Sequence, residues 1–226
     1  MTSRALRDVP AQAVSPRAAR PRKVVVLARP GAGKSTQAAR LAARLGVEHL
    51  SSGSMIRGEI ASGSALGRLV APLVERGELV PDDLVLSVVE PALERALTGR
   101  GGYVLDGYPR DLAQAQALDA LGAPARAPLG HGRAGGDEAG LALGPDLVLW
   151  LDVGPDECRR RLLGRAATDA RSDDTERTVE RRLVAYERET APVRGYYEGA
   201  GIVVVVDGAA SPDEVEERVA AAAGAT

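Results

Sequence analysis

Apolar positions along the chain fall into two patterns. Short, mostly apolar runs occur at 24–28, 103–106, 147–153 and 202–206. Runs this short with no polar alternation predict strands buried on both faces, as in a parallel sheet. Between them, spaced apolar residues predict helices over about 35–45, 54–60, 65–76, 84–97, 112–121, 156–164, 175–197 and 212–223. In the first of these, Leu41 and Leu45 share a face and Gly46 ends the helix. Pro155 opens the sixth and Ser211 caps the last. Strands alternating with helices predict an α/β fold, with a parallel sheet covered on both faces.

Two segments break this order. Residues 1–22 carry five arginines and three prolines against one acid, Asp8, with no apolar block. That excludes a secretory signal and leaves a disordered tail, with an Arg-rich transit peptide as the competing reading. Residues 122–146 contain 7 Gly, 3 Pro and 6 Ala and show no hydrophobic period, which predicts a flexible surface insertion. The remainder, 23–226, reads as a single domain.

Composition narrows the class. At 226 residues and 45% hydrophobic, the chain can build one substantial core. A net charge of −2 argues against nucleic acid as a partner, and no apolar run is long enough to cross a membrane. The single cysteine, Cys158, and the two histidines, His49 and His131, cannot assemble a four-ligand zinc site. A reducing, cytoplasmic setting without structural zinc is the expectation. Of 29 basic residues only Lys23 and Lys34 are lysines. Compositional bias explains the ratio, and it makes a lysine at position 34 informative.

Lys34 lies in Ala28-Arg29-Pro30-Gly31-Ala32-Gly33-Lys34-Ser35-Thr36, between a predicted strand and a predicted helix. The phosphate-binding loop has the pattern G-x-x-x-x-G-K-[ST] in that setting. Gly31 and Gly33 let successive N–H groups turn inward on phosphate oxygens, and the helix adds its positive N-terminal end. Lys34 supplies a mobile charge for the β and γ phosphates, and Ser35 or Thr36 a hydroxyl for Mg²⁺. The first glycine of the pattern is Ala28 here, a costly exchange if that position needs a left-handed backbone.

Further segments narrow the reaction. Leu50-Ser51-Ser52-Gly53-Ser54-Met55-Ile56-Arg57 resembles the S-T-G-D-M-L-R segment of adenylate kinases. Arg76-Gly77-Glu78-Leu79-Val80-Pro81-Asp82 resembles their G-x-L-V-x-D stretch, and Leu105-Asp106-Gly107-Tyr108-Pro109-Arg110 with Gln114 resembles D-G-[FY]-P-R-x-x-x-Q. Arg161 to Arg165, Arg171 to Asp174, and Arg181 to Leu183 with Tyr186 complete the series in order. The chain is thus similar to the adenylate kinase family of nucleoside monophosphate kinases from about residue 24 to 223, apart from the insertion.

That resemblance implies a P-loop NTPase-type three-layer fold with a central five-stranded parallel sheet. It also implies a helical arm for the monophosphate at about 51–80, and a short lid at about 165–174. Arg57 and Arg110 would hold the acceptor phosphate, while Arg165, Arg171 and Arg182 would converge on the transferring group. Arg161 would lie against the donor adenine. Ser52, Val80, Gly107 and Gln114 would surround the acceptor base. Asp106 would orient Mg²⁺ through water, as would Asp173 and Asp174 through their neighbours. The implied reaction joins MgATP and AMP to give two ADP in a monomeric enzyme. A UMP/CMP-type kinase and a weakly active nucleotide-binding relative are the alternatives. Arginine forks suit such a site because they grip phosphate oxygens and stay charged at every working pH. No general base is needed, since the acceptor oxygen is already anionic. Neither His49 nor His131 lies in a motif, so neither receives a catalytic role. Arg159, Arg160, Arg177, Arg188 and Arg194 read as solvated surface charges.

Overall fold

The computed structural model describes residues 22–78, 80–121, 142–168 and 175–225, with backbone alone for 165–168. Five strands, β1 (Lys23–Ala28), β2 (Glu48–Ser51), β3 (Tyr103–Asp106), β4 (Leu147–Asp152) and β5 (Val203–Asp207), form one parallel sheet in the order β2-β3-β1-β4-β5. The helices are α1 (Lys34–Leu45), α2 (Ser52–Ser62), α3 (Ala65–Glu75), α4 (Asp82–Gly99), α5 (Leu112–Ala120), α6 (Pro155–Thr168), α7 (Glu176–Ala185), α8 (Ala191–Gly199) and α9 (Pro212–Ala222). Among the described residues, no helix is long and apolar enough to cross a membrane.

The continuous apolar runs are explained by coverage on both faces. In β1, Val24, Val26 and Ala28 face a core shared with Leu41, Leu149, Leu183 and Val219, whereas Val25 and Leu27 face one shared with Leu93, Leu105, Trp150 and Tyr197. Side chains alternate across a strand, so only a strand buried on both sides can dispense with polar positions. The four predicted strands appear within a residue of their expected ends. The fifth, β2, has the sequence Glu-His-Leu-Ser and no apolar run, so no periodic signal marks it.

One predicted helix proves to be three elements. The stretch expected at 175–197 is α7, a π-helical turn over Tyr186–Thr190, and α8. Ala191 N–H bonds to the carbonyl of Tyr186, five residues back. Such turns insert one extra residue and re-aim the side chains around them.

The edges of the two irregular segments are tied down. Arg22, read from sequence as the end of the tail, accepts a backbone bond from Tyr103 N–H at 2.7 Å and donates Nε to Gly101 O at 2.6 Å. Residues 1–21 lie outside the described residues. At the other segment, Leu143 N–H bonds to Leu121 O at 3.0 Å and Asp146 N–H to Lys23 O at 2.7 Å. Leu143 is buried, so the last residues of the expected insertion belong to the core. Residues 122–141, including His131, lie outside the description, as do Leu79 and the lid residues 169–174.

Candidate active site

The loop after β1 is bent by two left-handed glycines, Gly31 at φ 85° and Gly33 at φ 92°. Gly31 is required twice over. Its backbone disfavours a side chain, and a Cβ there would sit 2.5 Å from Cys158 O on α6. Gly33 immediately precedes α1, so the loop leads straight into the positive helix end. Lys34 folds back over the loop, donating Nζ to Ala28 O at 2.9 Å and Arg29 O at 3.1 Å.

Ala28 itself belongs to β1, paired with Leu151, and its side chain is buried in the core. The position is extended and needs no glycine. The cost foreseen from sequence for a left-handed backbone does not arise.

Asp106 ends β3 beside the loop and is almost fully buried. Its Oδ1 accepts from Ser35 Oγ at 3.1 Å and from Ser51 Oγ at 3.3 Å, and its Oδ2 meets His49 Nε2 at 2.8 Å. Ser35 is therefore the hydroxyl of the pair beside the carboxylate. His49, given no role from sequence, holds the second oxygen of this carboxylate. The alternation of β2 could have shown it, had β2 been visible as a strand, because β2 pairs with β3 and Ser51 lies opposite Asp106.

A cleft of about 280 Å³ opens in front of the loop. Its wall includes Lys34, Ser52, Arg57, Val80, Gly107, Arg110 and Arg182, drawn from the loop, the α2–α3 region, the β3–α5 turn and α7. Arg110 donates Nε to Gly107 O at 2.9 Å, and Arg57 donates Nη2 to Ser54 Oγ at 3.0 Å. The Arg110 guanidinium is held below its ordinary pKa, first by burial and then by the positive charges of Arg182 and Arg57, with Asp106 opposing. An arginine whose charge is disfavoured by neighbouring cations is poised for a polyanion. Among the described residues, three polar atoms on this wall, Ser52 Oγ, Tyr186 Oη and Glu189 Oε2, are buried without a protein hydrogen-bond partner. A ligand is the expected partner for such groups.

The remaining sequence-named residues are more dispersed. Gln114 is buried, its Oε1 accepting from Arg110 N–H at 2.8 Å and its Nε2 donating to Asp82 Oδ1 at 2.6 Å. Arg161 donates Nε to Glu157 Oε1 at 2.6 Å and Nη1 to Gly208 O at 3.5 Å, away from the cleft lining. Arg165 lies on α6, and its side chain is outside the described residues, as are Arg171, Asp173 and Asp174. Arg159, Arg160, Arg188 and Arg194 pair with acids on their own or neighbouring helices, as surface charges do, although Arg194 also covers the Trp150 ring at 5.7 Å.

A glycine loop with its lysine at the end of a central parallel strand, facing an arginine-lined cleft, defines a P-loop phosphotransferase layout. The family model described as adenylate kinase matches residues 26–128. Adenylate kinase of Thermus thermophilus is 44% identical over 201 residues, covering 89% of this chain and 96% of that one. Adenylate kinase of Stenotrophomonas maltophilia is 40% identical over 200 residues, 88% and 98% of the two chains. That of Xanthomonas euvesicatoria pv. vesicatoria is 41% identical over 202 residues, 89% and 99%. The chain belongs to the adenylate kinase family, whose members are nucleoside monophosphate kinases.

Proposed function

We propose that the protein transfers the terminal phosphoryl group of ATP reversibly to AMP, giving two ADP. The observation that carries this reading is the convergence of Arg57, Arg110 and Arg182 on a cleft whose other wall bears the loop lysine, Lys34. The loop Gly31-Ala32-Gly33, with Ser35 and Thr36 at the helix start, cradles the donor phosphates, and Lys34 follows the charge of the transferring group. Arg57 and Arg110 grip the acceptor phosphate. Arg182, joined by Arg165 and Arg171, stabilises the group in transit. Arg161 flanks the donor base.

Transfer is one displacement. An oxygen of the AMP phosphate attacks the γ phosphorus, and the bond to the β–γ bridging oxygen breaks. No proton has to move, so the reaction calls for no general base. The oxygen donors Ser35 and Asp106 fit Mg²⁺, a hard cation that keeps much of its water and is held largely by nucleotide phosphates. Ser35 would hold Mg²⁺ directly and Asp106 through water, and the ion would supply charge neutralisation for the donor phosphates. Closing the α2–α3 arm and the lid at 165–174 over the substrates excludes water, which would otherwise compete as acceptor.

Ser52, Val80 and Gly107 line the acceptor side, and Gln114 reads the base. Beyond its bonds to Arg110 and Asp82, the Gln114 amide retains one lone pair and one N–H, the complement of an adenine edge. Every group named belongs to one chain, so a monomer suffices. The test is a coupled ADP assay with AMP, CMP, UMP, GMP and dTMP as acceptors. AMP is expected to be the best of the five, and Lys34→Ala to lower kcat/KM at least about a hundredfold. A better acceptor than AMP would overturn the adenylate reading and favour a UMP/CMP-type kinase. Binding of a linked dinucleotide without ADP formation would favour a nucleotide-binding relative.

A further inference from the structure

The π-helical turn at 186–190 touches both halves of the site. On one side, Glu187 accepts from Arg29 Nε at 2.8 Å, and Arg29 is the first residue of the phosphate loop after β1. The same guanidinium donates Nη1 to Val153 O at 3.1 Å and lies 5.5 Å over the Tyr186 ring. Its backbone carbonyl is one of the two that hold Lys34 Nζ. On the other side, Thr190 donates Oγ1 to the carbonyl of Arg110 at 2.6 Å. Arg182 stands one turn before Tyr186 on the continuous helix. One short segment thus grips the backbone of the donor loop through Arg29 and the backbone of the acceptor arginine through Thr190.

We infer that this turn is a bracket that sets the distance between donor and acceptor phosphates, with Arg29, Glu187 and Thr190 as positioning residues. A regular helix advances side chains by about 100° per residue and cannot be adjusted locally. The extra residue of the π turn allows Glu187 and Thr190 to reach two different loops. Arg29 is suited to its part because the fork forms several directed bonds at once, and the stack on Tyr186 fixes its plane. Arg29 and Glu187 stand outside the cleft lining, and Thr190, which lines it, spends its hydroxyl on the Arg110 carbonyl. They act on where Lys34 and Arg110 stand, and in-line transfer is sensitive to errors of about 1 Å.

This inference rests on the phosphoryl-transfer reading, and its test separates the two. The variants are Arg29→Gln, Glu187→Gln, their double, and Thr190→Val in the full chain. The measurements are kcat, both KM values, thermal midpoint, and affinity for a dinucleotide of two adenosines joined by five phosphates, which spans both halves. Each single variant is expected to lower kcat about tenfold with each KM within about threefold, and to weaken the linked ligand more than ATP or AMP alone. The double Arg29→Gln/Glu187→Gln should be no worse than Arg29→Gln alone, since that single has already broken the contact Glu187→Gln removes. Where a single variant folds poorly, the exchange Arg29→Glu with Glu187→Arg should recover the midpoint and part of kcat. A lower thermal midpoint with unchanged kcat and linked-ligand affinity would reduce the turn to scaffolding and overturn the inference. So would a raised ATP KM in Arg29→Gln but not in Glu187→Gln, because that result makes Arg29 a direct phosphate ligand. A wild-type protein that fails to phosphorylate AMP overturns the parent reading instead.

Discussion

At the scale of single residues, the loop shows which departures from a motif matter. Ala28 stands where the pattern has glycine, yet the structure makes it the last residue of β1 with its methyl in the core. Restoring the pattern with Ala28→Gly is therefore expected to leave kcat/KM within about threefold. It should cost stability by about 1 to 2 kcal/mol, from lost methyl burial and added chain freedom. Denaturant melts and steady-state kinetics on one preparation check both halves, and a large rate gain would refute the strand account. Gly31 is the contrasting case, because its φ and its approach to Cys158 O both demand the absence of a side chain. The pattern G-x-x-x-x-G-K-[ST] asks for glycine at position 28 and leaves position 31 open. Only the backbone separates the one that the fold needs from the one that it does not. The same limit hid His49, whose partner Asp106 lies 57 positions away in the chain and is reached only through pairing of β2 with β3.

Among the elements, the two helices α2 and α3 carry the most specific packing demand. Gly67 on α3 rests against the last turns of α2, where an added Cβ would fall 2.0 Å from Glu59 O and 2.7 Å from Ile60 N. Both are backbone atoms and cannot rotate away. Ser64 caps α3 by accepting from Gly67 N–H at 2.9 Å, so the tight hairpin and its cap meet at one residue. Gly67→Ala is expected to pry the helices apart at a cost of about 1 to 3 kcal/mol. Because α2 carries Arg57, the KM for AMP should rise about tenfold while the KM for ATP stays within about twofold. Equal changes in both would mean that α2 and α3 do not serve the acceptor alone. Helix existence was readable here from apolar spacing, but this contact was not, since a glycine inside a helix looks merely unfavourable in sequence. The π turn was invisible for a related reason: its residues Tyr-Glu-Arg-Glu-Thr continue a charged helical pattern, and the loops that Glu187 and Thr190 reach are distant in the chain.

Across the whole molecule, a net charge of −2 conceals a cation-rich cleft balanced by acids elsewhere. Composition could exclude a nucleic-acid scaffold, but only the fold could bring Arg57, Arg110 and Arg182 from three separate elements to one wall. The free protein bears a penalty for that gathering. Arg110 has a depressed pKa, so its charged form is disfavoured in the folded state relative to the unfolded one. Both states hold the proton below the folded pKa, and the penalty is therefore present throughout the working pH range and does not titrate away there. Replacing the guanidinium with an uncharged chain of similar length, Arg110→Met, should leave the ligand-free protein as stable as the parent or more so. Activity should fall at least about a hundredfold in kcat/KM. Inorganic phosphate should raise the thermal midpoint of the parent by binding the native state alone, and should raise that of Arg110→Met much less. Scanning calorimetry with and without phosphate measures all four midpoints. A variant that is markedly less stable without phosphate, yet gains as much from it, would place the anion away from Arg110 and make that arginine a structural residue.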